Sequence, residues 1–224
     1  MVSGNPAADR LSTARAKPPA TLTSVRLFAV LPLPPAEHPG AVLTPLAGES
    51  ALRRIVAAFA PAVQQVLVVA EAGLAEQAGA ELAGLPAETV VVDETADCAL
   101  CLTAAMPVLR ALGASHVLLA DHHRPLLPPA LITRLVDALA SGAELVVPVL
   151  PVTDTVKVVD GQGSITSTVD RALLRTLQYP HGMTVDRLAV PGLHGATTVL
   201  GDADALAVDL PRDAPLLEAI IACR

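Results

Sequence analysis

The sequence predicts an α/β fold in which a mostly parallel sheet carries helices on both faces. Short, continuous runs of β-branched and aliphatic residues alternate along residues 25–150 with longer Ala/Leu-rich segments whose apolar residues recur every three or four positions. Continuously apolar strands separated by helices are typical of a parallel sheet that is covered on both sides. The predicted strands are VRLFAVL (25–31), QVLVVA (65–70), TVVV (89–92), HVLLA (116–120) and ELVVPVL (144–150).

The segments between these strands predict four helices. Gly84, Gly113 and Gly142 supply helix stop signals, and Pro128 and Pro129 supply a start signal. The predicted helices lie in ESALRRIVAAFA (49–60), EAGLAEQAGAELAG (71–84), DCALCLTAAMPVLRALG (97–113) and PALITRLVDALASG (129–142).

The pattern changes after residue 150. Two alternating Thr/Val-rich runs surround Gly161 and Gly163, which predicts a β-hairpin. We expect this inserted β-arm, at about residues 151–171, to pair with another subunit. The segment ALAVDLPRDAPLLEAIIAC (205–223) predicts a last strand, a turn and a closing helix. Residues 1–24 predict a disordered tail, which leaves one domain over residues 25–224.

Composition and charge exclude several classes of protein. The formal net charge of −7 disfavours a nucleic-acid binder, because basic side chains that neutralise phosphates are scarce. No apolar stretch reaches the roughly 20 residues that a membrane span needs. The first 24 residues lack the apolar core of a secretory signal. Three cysteines do not make a closed disulfide framework, so we expect a cytoplasmic, reducing environment.

Charged residues follow the fourth and fifth predicted strands, at the sheet edge where open α/β sheets bind their ligands. DHHRP (121–125) comes directly after HVLLA, and PVTDTVK (151–157) opens the arm. An aspartate at such a place can hold a metal ion, and an arginine can hold an anionic group. Asp121 and Arg124 are therefore the candidate site residues of this edge.

These motifs, in this order, resemble those of the methylerythritol phosphate cytidylyltransferases, the nucleotidyltransferases of isoprenoid biosynthesis. DHHRP followed by PVTDTVK is a specific combination, although either motif alone is weak. The resemblance implies a Rossmann-like, glycosyltransferase-A-like nucleotidyltransferase fold and a homodimer joined through the arm. It is carried by ADHHRPLLPPALI (120–132), PVTDTVKVVD (151–160), TVDRALLRTLQYPHGM (168–183) and GDADALAVDLPRDAPLLEAII (201–221).

The resemblance also implies an activity and the residues for it. In the family reaction, methylerythritol phosphate attacks the α-phosphate of CTP and pyrophosphate leaves, with Mg²⁺ assistance. Asp121 and Arg124 match family residues at the substrate and metal site, so Asp121 is the candidate Mg²⁺ ligand. Thr155, Lys157 and Arg171 are candidate contacts to methylerythritol phosphate from the partner's arm. The alternative is that these three residues only pair across the arm and hold the dimer.

The match fails where the family binds its nucleotide. The family loop after the first strand contains glycines, an arginine and a lysine, whereas this chain has VLPLPPAEHPG (30–40). The four prolines of this stretch have no N–H to donate. No lysine or arginine occurs between Arg26 and Arg53.

Three further positions depart from the family pattern. A second family segment rich in glycine, with an arginine and a serine, is replaced by VDETADCALC (92–101). A family lysine aligns with Ala207. A threonine and a glutamine of a later family motif align with Tyr179 and His181.

We therefore expect a catalytically impaired or inactive family member, with Asp121 and Arg124 as vestigial catalytic residues and no cofactor. Such a protein would pair with itself, or with an active paralog, through the arm. The alternative is an active, divergent nucleotidyltransferase that uses Mg²⁺ on another small phosphorylated substrate. Its cations would then come from Arg53, Arg54 or Lys157, or from a partner subunit.

Two residue pairs raise the question of metal or redox chemistry. His122 and His123 are adjacent, and adjacent residues of an extended chain point apart. With no third ligand near them in sequence, we expect these histidines to fill the nucleotide space rather than bind a metal. Cys98 and Cys101 form a CxxC on an apolar helical pattern, which favours buried core cysteines over a zinc or redox site.

Overall fold

Every strand predicted for the parallel core is present in the computed structural model, which describes residues 25–37 and 39–223. The predicted tail, residues 1–24, lies outside the described residues. Within the described part, the strands in chain order are β1 (Leu27–Pro32), β2 (Pro45–Leu46), β3 (Glu49–Ser50), β4 (Val66–Glu71), β5 (Ala87–Val92), β6 (His116–Leu119), β7 (Leu145–Pro151), β8 (Val156–Val159), β9 (Ile165–Val169), β10 (Arg175–Leu177), β11 (His181–Thr184) and β12 (Thr197–Leu200).

The four predicted helices are also present. Side-chain oxygens of Ser50, Glu71 and Asp97 accept hydrogen bonds from first-turn amides, which explains why the first three helices begin where they do. No helix in the described part of the chain is long and apolar enough to cross a membrane. The helices are α1 (Ala51–Phe59), α2 (Ala72–Glu81), α3 (Cys98–Ala111), α4 (Pro129–Ala140), α5 (Val185–Leu188) and α6 (Ala214–Ala222).

The main sheet has the strand order β10-β7-β11-β6-β1-β4-β5, and β12 also pairs with β7. Strand β1 pairs in parallel with both β4 and β6, and β4 pairs in parallel with β5. Strands β10 and β11 run antiparallel to β7, whereas β12 runs parallel to it. The predicted mostly parallel sheet is therefore confirmed, with antiparallel strands near one edge.

The sheet separates two hydrophobic cores. Leu27, Ala29 and Leu31 of β1 pack into one core together with residues of α1, α2 and α4. Phe28 and Val30 of the same strand pack into the other core, with residues of α3 and α5. Both faces of the central strands are thus buried, which explains why these strands are apolar at every position.

The predicted hairpin is present as a separate two-stranded sheet formed by β8 and β9. In its turn, Asp160 Oδ1 accepts hydrogen bonds from the amides of Gln162 and Ser164, and Gly163 adopts a φ of 83°. Most side chains of the hairpin are exposed. The arm therefore projects from the main sheet rather than extending it.

The last strand of the chain is not where the sequence pattern predicts it. Residues 205–210 form no strand, and the last one is β12, upstream of them. The apolar residues that suggested a strand pack elsewhere, since Val208 is buried in a cluster with Leu46 and Leu217. Val208 N donates to His123 O at 2.9 Å, which ties this segment to the end of β6.

One buried glutamine joins the break between β10 and β11 to the loop after β12. Gln178 Oε1 accepts from Asp202 N at 2.8 Å, and Gln178 Nε2 donates to Asp202 O at 2.9 Å. A Cβ at Gly201 would lie 2.2 Å from Gln178 Oε1, so only glycine lets the loop approach this closely. The pair of bonds fixes the segment that carries Tyr179 and His181.

We predict that Gln178→Ala lowers the free energy of unfolding by about 1–3 kcal/mol, because both backbone groups of Asp202 lose their partner. The measurement is urea unfolding followed by circular dichroism. Gln162→Ala, the same change in the exposed hairpin turn, is the matched control and should alter stability by less than about 0.5 kcal/mol. Equal urea midpoints for the two variants would show that the hydrogen bonds between Gln178 and Asp202 do not stabilise the fold.

Candidate functional site

The carboxyl ends of β1 and β6 lie side by side because the two strands pair in parallel. The chain leaves β1 through a turn at residues 32–43 and leaves β6 through a turn at residues 120–124. Leu33 N donates to Val69 O at 2.8 Å, and Ala120 N donates to Val30 O at 2.8 Å. The first residues of each turn are therefore hydrogen-bonded to a neighbouring strand. We refer to the space between the two turns as the cleft.

Asp121 and Arg124, the candidate catalytic residues, are together at the cleft as predicted, but they are engaged with local partners. Asp121 Oδ1 accepts from His123 N at 3.0 Å and is 2.9 Å from His123 Nδ1. Arg124 Nε lies 3.4 Å from Asp121 Oδ2, and Arg124 Nη1 donates to Ala205 O. The arginine is mostly buried. Both side chains are therefore engaged with protein partners, although Asp121 also lines the 220 Å³ side of the cleft.

His122 enters the cleft from the β6 turn and meets Glu37 from the β1 turn. The distance between His122 Nε2 and Glu37 Oε2 is 4.0 Å. Only 8% of His122 is exposed, and burial, together with His123, lowers the pKa of His122 to about 4. The imidazole is therefore neutral at pH 7.

The expected separation of His122 and His123 is wrong. Their ring centroids are 3.9 Å apart with an interplanar angle of 37°. The reason is that residues 121–124 form a turn, closed by a hydrogen bond from Arg124 N to Asp121 O at 3.1 Å, instead of an extended chain. A third candidate ligand, Glu37, is also within reach. Sequence reasoning missed it because positions 37 and 122 are 85 apart along the chain.

Glu37 and His122 stand between two cavities and line both of them. One cavity has a volume of about 280 Å³ and extends towards Val208 and Pro211. The other has a volume of about 220 Å³ and extends towards Tyr179. The cleft is therefore divided at Glu37 and His122 into two adjoining cavities.

Tyr179 lines the 220 Å³ side of the cleft, and His181 packs against Tyr179. Their rings stack at 4.0 Å with an interplanar angle of 14°. Burial, and then the positive charge of Arg124, lowers the pKa of His181 to about 4. His181 Nε2 is buried and has no hydrogen-bond partner among the described residues. These two rings therefore add bulk and no charge at neutral pH.

The two cysteines of the CxxC motif lie in different environments, one exposed and one buried. Cys101 is buried as expected, but Cys98 is exposed and lines the 220 Å³ cavity, so its expected burial is wrong. Cys98 is the first residue of α3, where the chain enters the helix from the cleft side. Desolvation, then the carboxylates of Glu37 and Asp97, raises the pKa of the Cys98 thiol. A raised pKa disfavours the thiolate that redox chemistry would need.

Two of the three candidate substrate contacts of the arm, Lys157 and Arg171, bond within the arm. Lys157 Nζ is 2.6 Å from Thr168 Oγ1 on the opposite strand, and Arg171 Nη1 donates to Thr153 O. Thr155 is exposed. Among the described residues, none of the three bonds to a cleft residue of the same chain, so their contact to a ligand in the partner subunit stays a prediction.

The donors at the cleft do not suit Mg²⁺, which prefers oxygen ligands and water. Both oxygens of Asp121, the candidate ligand, face partners within the turn. The remaining group of donors that lie close together is one carboxylate, Glu37, and two imidazoles, His122 and His123. A nitrogen-rich set of this kind fits a different class of metal.

Comparison with protein families gives one match over most of the chain. The family model for 2-C-methyl-D-erythritol 4-phosphate cytidylyltransferase matches residues 36–208, which include part of the β1 turn, the β6 turn and the arm. Curated enzymes of this name from Saccharopolyspora erythraea and Nocardia farcinica are 39% and 38% identical. These alignments cover 76% and 71% of this chain, and 74% and 75% of the relatives.

Solved structures agree with this assignment. A 4-diphosphocytidyl-2C-methyl-D-erythritol synthase superposes with a TM-score of 0.72 at 20% identity, over 88% of this chain and 99% of the other, which shows the shared fold. The 2-C-methyl-D-erythritol 4-phosphate cytidylyltransferase from Thermus thermophilus superposes with a TM-score of 0.64 at 26% identity, over 86% and 98%. The resemblance inferred from the motifs is confirmed, and the chain belongs to the 2-C-methyl-D-erythritol 4-phosphate cytidylyltransferase family.

Proposed function

We propose that this chain is a catalytically impaired member of its family. The family reaction joins CTP and methylerythritol phosphate to give CDP-methylerythritol and pyrophosphate. The observation that carries the proposal is the meeting of Glu37 and His122 across the cleft, which divides the space and puts a carboxylate where a triphosphate would need cations. Charge, space and hydrogen-bond donors each support the proposal.

Among their described residues, the two turns at the cleft lack the free positive side chains that a nucleoside triphosphate needs. Nucleotidyl transfer depends on cations placed against the developing negative charge. The β1 turn has no lysine or arginine, and Arg124 is held by Asp121 and by a backbone carbonyl. The cleft therefore presents no free side-chain cation from these two turns.

Arg53 and Arg54, two alternative sources of cations, are also occupied. Arg53 Nη1 donates to Glu81 O at 2.8 Å, on the helix α2 side. Arg54 Nε and Nη2 donate to Leu46 O at 3.0 and 2.8 Å. Redirecting either guanidinium towards the cleft would leave these carbonyls without their present partner, so an active enzyme that relies on these arginines is less well supported.

The space at the cleft is small. Pockets for drug-sized ligands have volumes of roughly 300–1,000 Å³. Each half of the divided cleft is below that range, at about 280 and 220 Å³. Accommodating a nucleoside triphosphate would require Glu37 and His122 to move apart, and His122 is almost entirely buried.

The backbone of the β1 turn offers few donors to phosphate oxygens. Pro32, Pro34 and Pro35 have no N–H. The amides of Leu33 and Glu37 donate to Val69 O and Pro34 O. The amide cradle on which phosphate-binding loops depend is therefore missing from this part of the turn.

A dimer joined through the arm is the second part of the proposal. The arm exposes Val158, Val159 and Ile165, and the segment that follows it exposes Leu173 and Leu177. Monomeric proteins seldom leave so many large apolar side chains together in solvent. A second copy of this chain is the partner that would cover them. An active paralog with the same arm is the alternative partner.

We predict that the protein releases pyrophosphate from CTP, methylerythritol phosphate and Mg²⁺ at least about 10³-fold more slowly than the Saccharopolyspora erythraea relative assayed in parallel. Losing a single donor to the developing charge costs about 10²–10³ in rate, and here several are missing. Values of kcat/KM within tenfold of each other would contradict the proposal. Turnover with another phosphorylated sugar alcohol alone would favour the divergent-enzyme alternative.

We predict that Ile165→Lys converts the dimer to a monomer, because it places a charge in the apolar surface that the second copy covers. Ile165 is 65% exposed in the single chain. Light scattering after size exclusion gives the mass. Leu216→Lys is the matched control, since Leu216 is 56% exposed on α6, outside the arm, and this variant should stay dimeric. A monomeric wild type, or a dimeric Ile165→Lys variant, would contradict the assignment of the arm.

A further inference from the structure

We propose that Glu37, His122 and His123 form a binding site for a divalent transition metal of the zinc class. One ligand atom from each of the three residues lies within 4.8 Å of the other two. The site lies in the same cleft that the proposed function concerns, but the inference is about metal binding and does not depend on whether the chain turns over CTP.

The geometry of the cluster is close to that of a metal site. In a tetrahedral zinc site with bonds of about 2.0–2.1 Å, neighbouring ligand atoms are about 3.4 Å apart. The 4.0 Å separation between His122 Nε2 and Glu37 Oε2 needs only a small adjustment to reach that value. The Glu37 side chain is half exposed and can make this adjustment by rotating.

His122 offers an unpaired ligand atom at the cleft. Its side chain is 91% buried (9% exposed), and neither ring nitrogen has a hydrogen-bond partner among the described residues. The ring lies at the two cavities, so an unpaired nitrogen there is available to a ligand in the cleft. A metal ion between His122 and Glu37 would satisfy the unpaired nitrogen.

His123 is already oriented in the way that metal-bound histidines are. Histidine ligands usually donate one ring N–H to a carboxylate or carbonyl, which fixes the ring and leaves the other nitrogen for the metal. Asp121 Oδ1 lies 2.9 Å from His123 Nδ1 and also accepts from His123 N. Asp121 is therefore a positioning residue in this site, and His123 Nε2 has no partner in the described part of the chain.

The donor set selects the class of metal. Two imidazoles and one carboxylate suit Zn²⁺, Co²⁺ or Ni²⁺, whereas Mg²⁺ and Ca²⁺ prefer oxygen ligands. Three protein ligands leave one position open to the cleft. Because Glu37 comes from the β1 turn and the histidines come from the β6 turn, the ion would tie the two turns together and keep the cleft divided.

The test is calorimetric titration of ZnCl₂ into the full chain, after removal of any affinity tag and treatment with a chelator, with no nucleotide present. We expect one Zn²⁺ per chain. His122→Ala and His123→Ala should each weaken binding by more than about 100-fold, since loss of even a supporting partner costs about 10–100-fold. Glu37→Gln, a near-isosteric change at a half-exposed residue, should weaken binding without affecting the fold.

Matched controls separate this site from adventitious binding. His194→Ala removes an exposed histidine outside the cleft, and Cys98→Ser removes the thiol at the edge of one cavity. Both variants should bind Zn²⁺ as the wild type does. Titration with Co²⁺ should give the visible absorption of a tetrahedral complex in the wild type and lose it in His123→Ala. Absence of stoichiometric binding, or equal binding by the wild type and the Glu37, His122 and His123 variants, would overturn the proposal.

Discussion

The stiff turn after β1 is the constraint on which the rest of the site depends. Pro32, Pro34 and Pro35 fix the backbone, and the Leu33 amide returns to the sheet by donating to Val69 O. The side chain of Leu33 is fully buried, so the turn is anchored by packing as well as by hydrogen bonding. As a result, the turn delivers the carboxylate of Glu37 to the cleft instead of a row of amides.

The division of the cleft follows from that turn together with the one after β6. Asp121 holds His123 and Arg124 within the β6 turn, which directs His122 into the cleft towards Glu37. The family fold is therefore retained in this protein, although the side chains at the cleft do not suit the family reaction. The scaffold is that of the 2-C-methyl-D-erythritol 4-phosphate cytidylyltransferases, whereas the chemistry available at the cleft is set by a few side chains on two turns. A zinc-class ion bound by Glu37 and the two histidines would make the closed arrangement more rigid.

Most of the fold was predictable because its strands and helices have strong local patterns. Central strands buried on both faces are apolar throughout, and the helices carry stop signals that match their observed ends. Strands β11 and β12 were not predicted, because His181–Thr184 and Thr197–Leu200 are short and are held in place by partners far away in sequence. The strand predicted in residues 205–210 is wrong for the opposite reason. Its apolar residues have a strand-like local pattern, but they pack against α6 and pair with no strand in the described part of the chain.

The candidate site was predictable only in part, for a similar reason. The placement of Asp121 and Arg124 at the end of a strand follows from the motif and the sheet. The contact between Glu37 and His122 depends on two irregular turns that pack together, and no local pattern encodes it. The exposure of Cys98 likewise follows from where α3 begins beside the cleft, whereas periodicity alone favoured burial.

The most direct test of the central claim is calorimetric titration of CTP into the wild-type chain in the presence of Mg²⁺. A ligand that binds the native state must also stabilise it, so thermal denaturation at each CTP concentration provides an independent readout. If the divided, cation-poor cleft excludes the triphosphate, neither measurement will saturate at sub-millimolar CTP. Saturable sub-millimolar binding, accompanied by a rise in the melting temperature, would contradict the account.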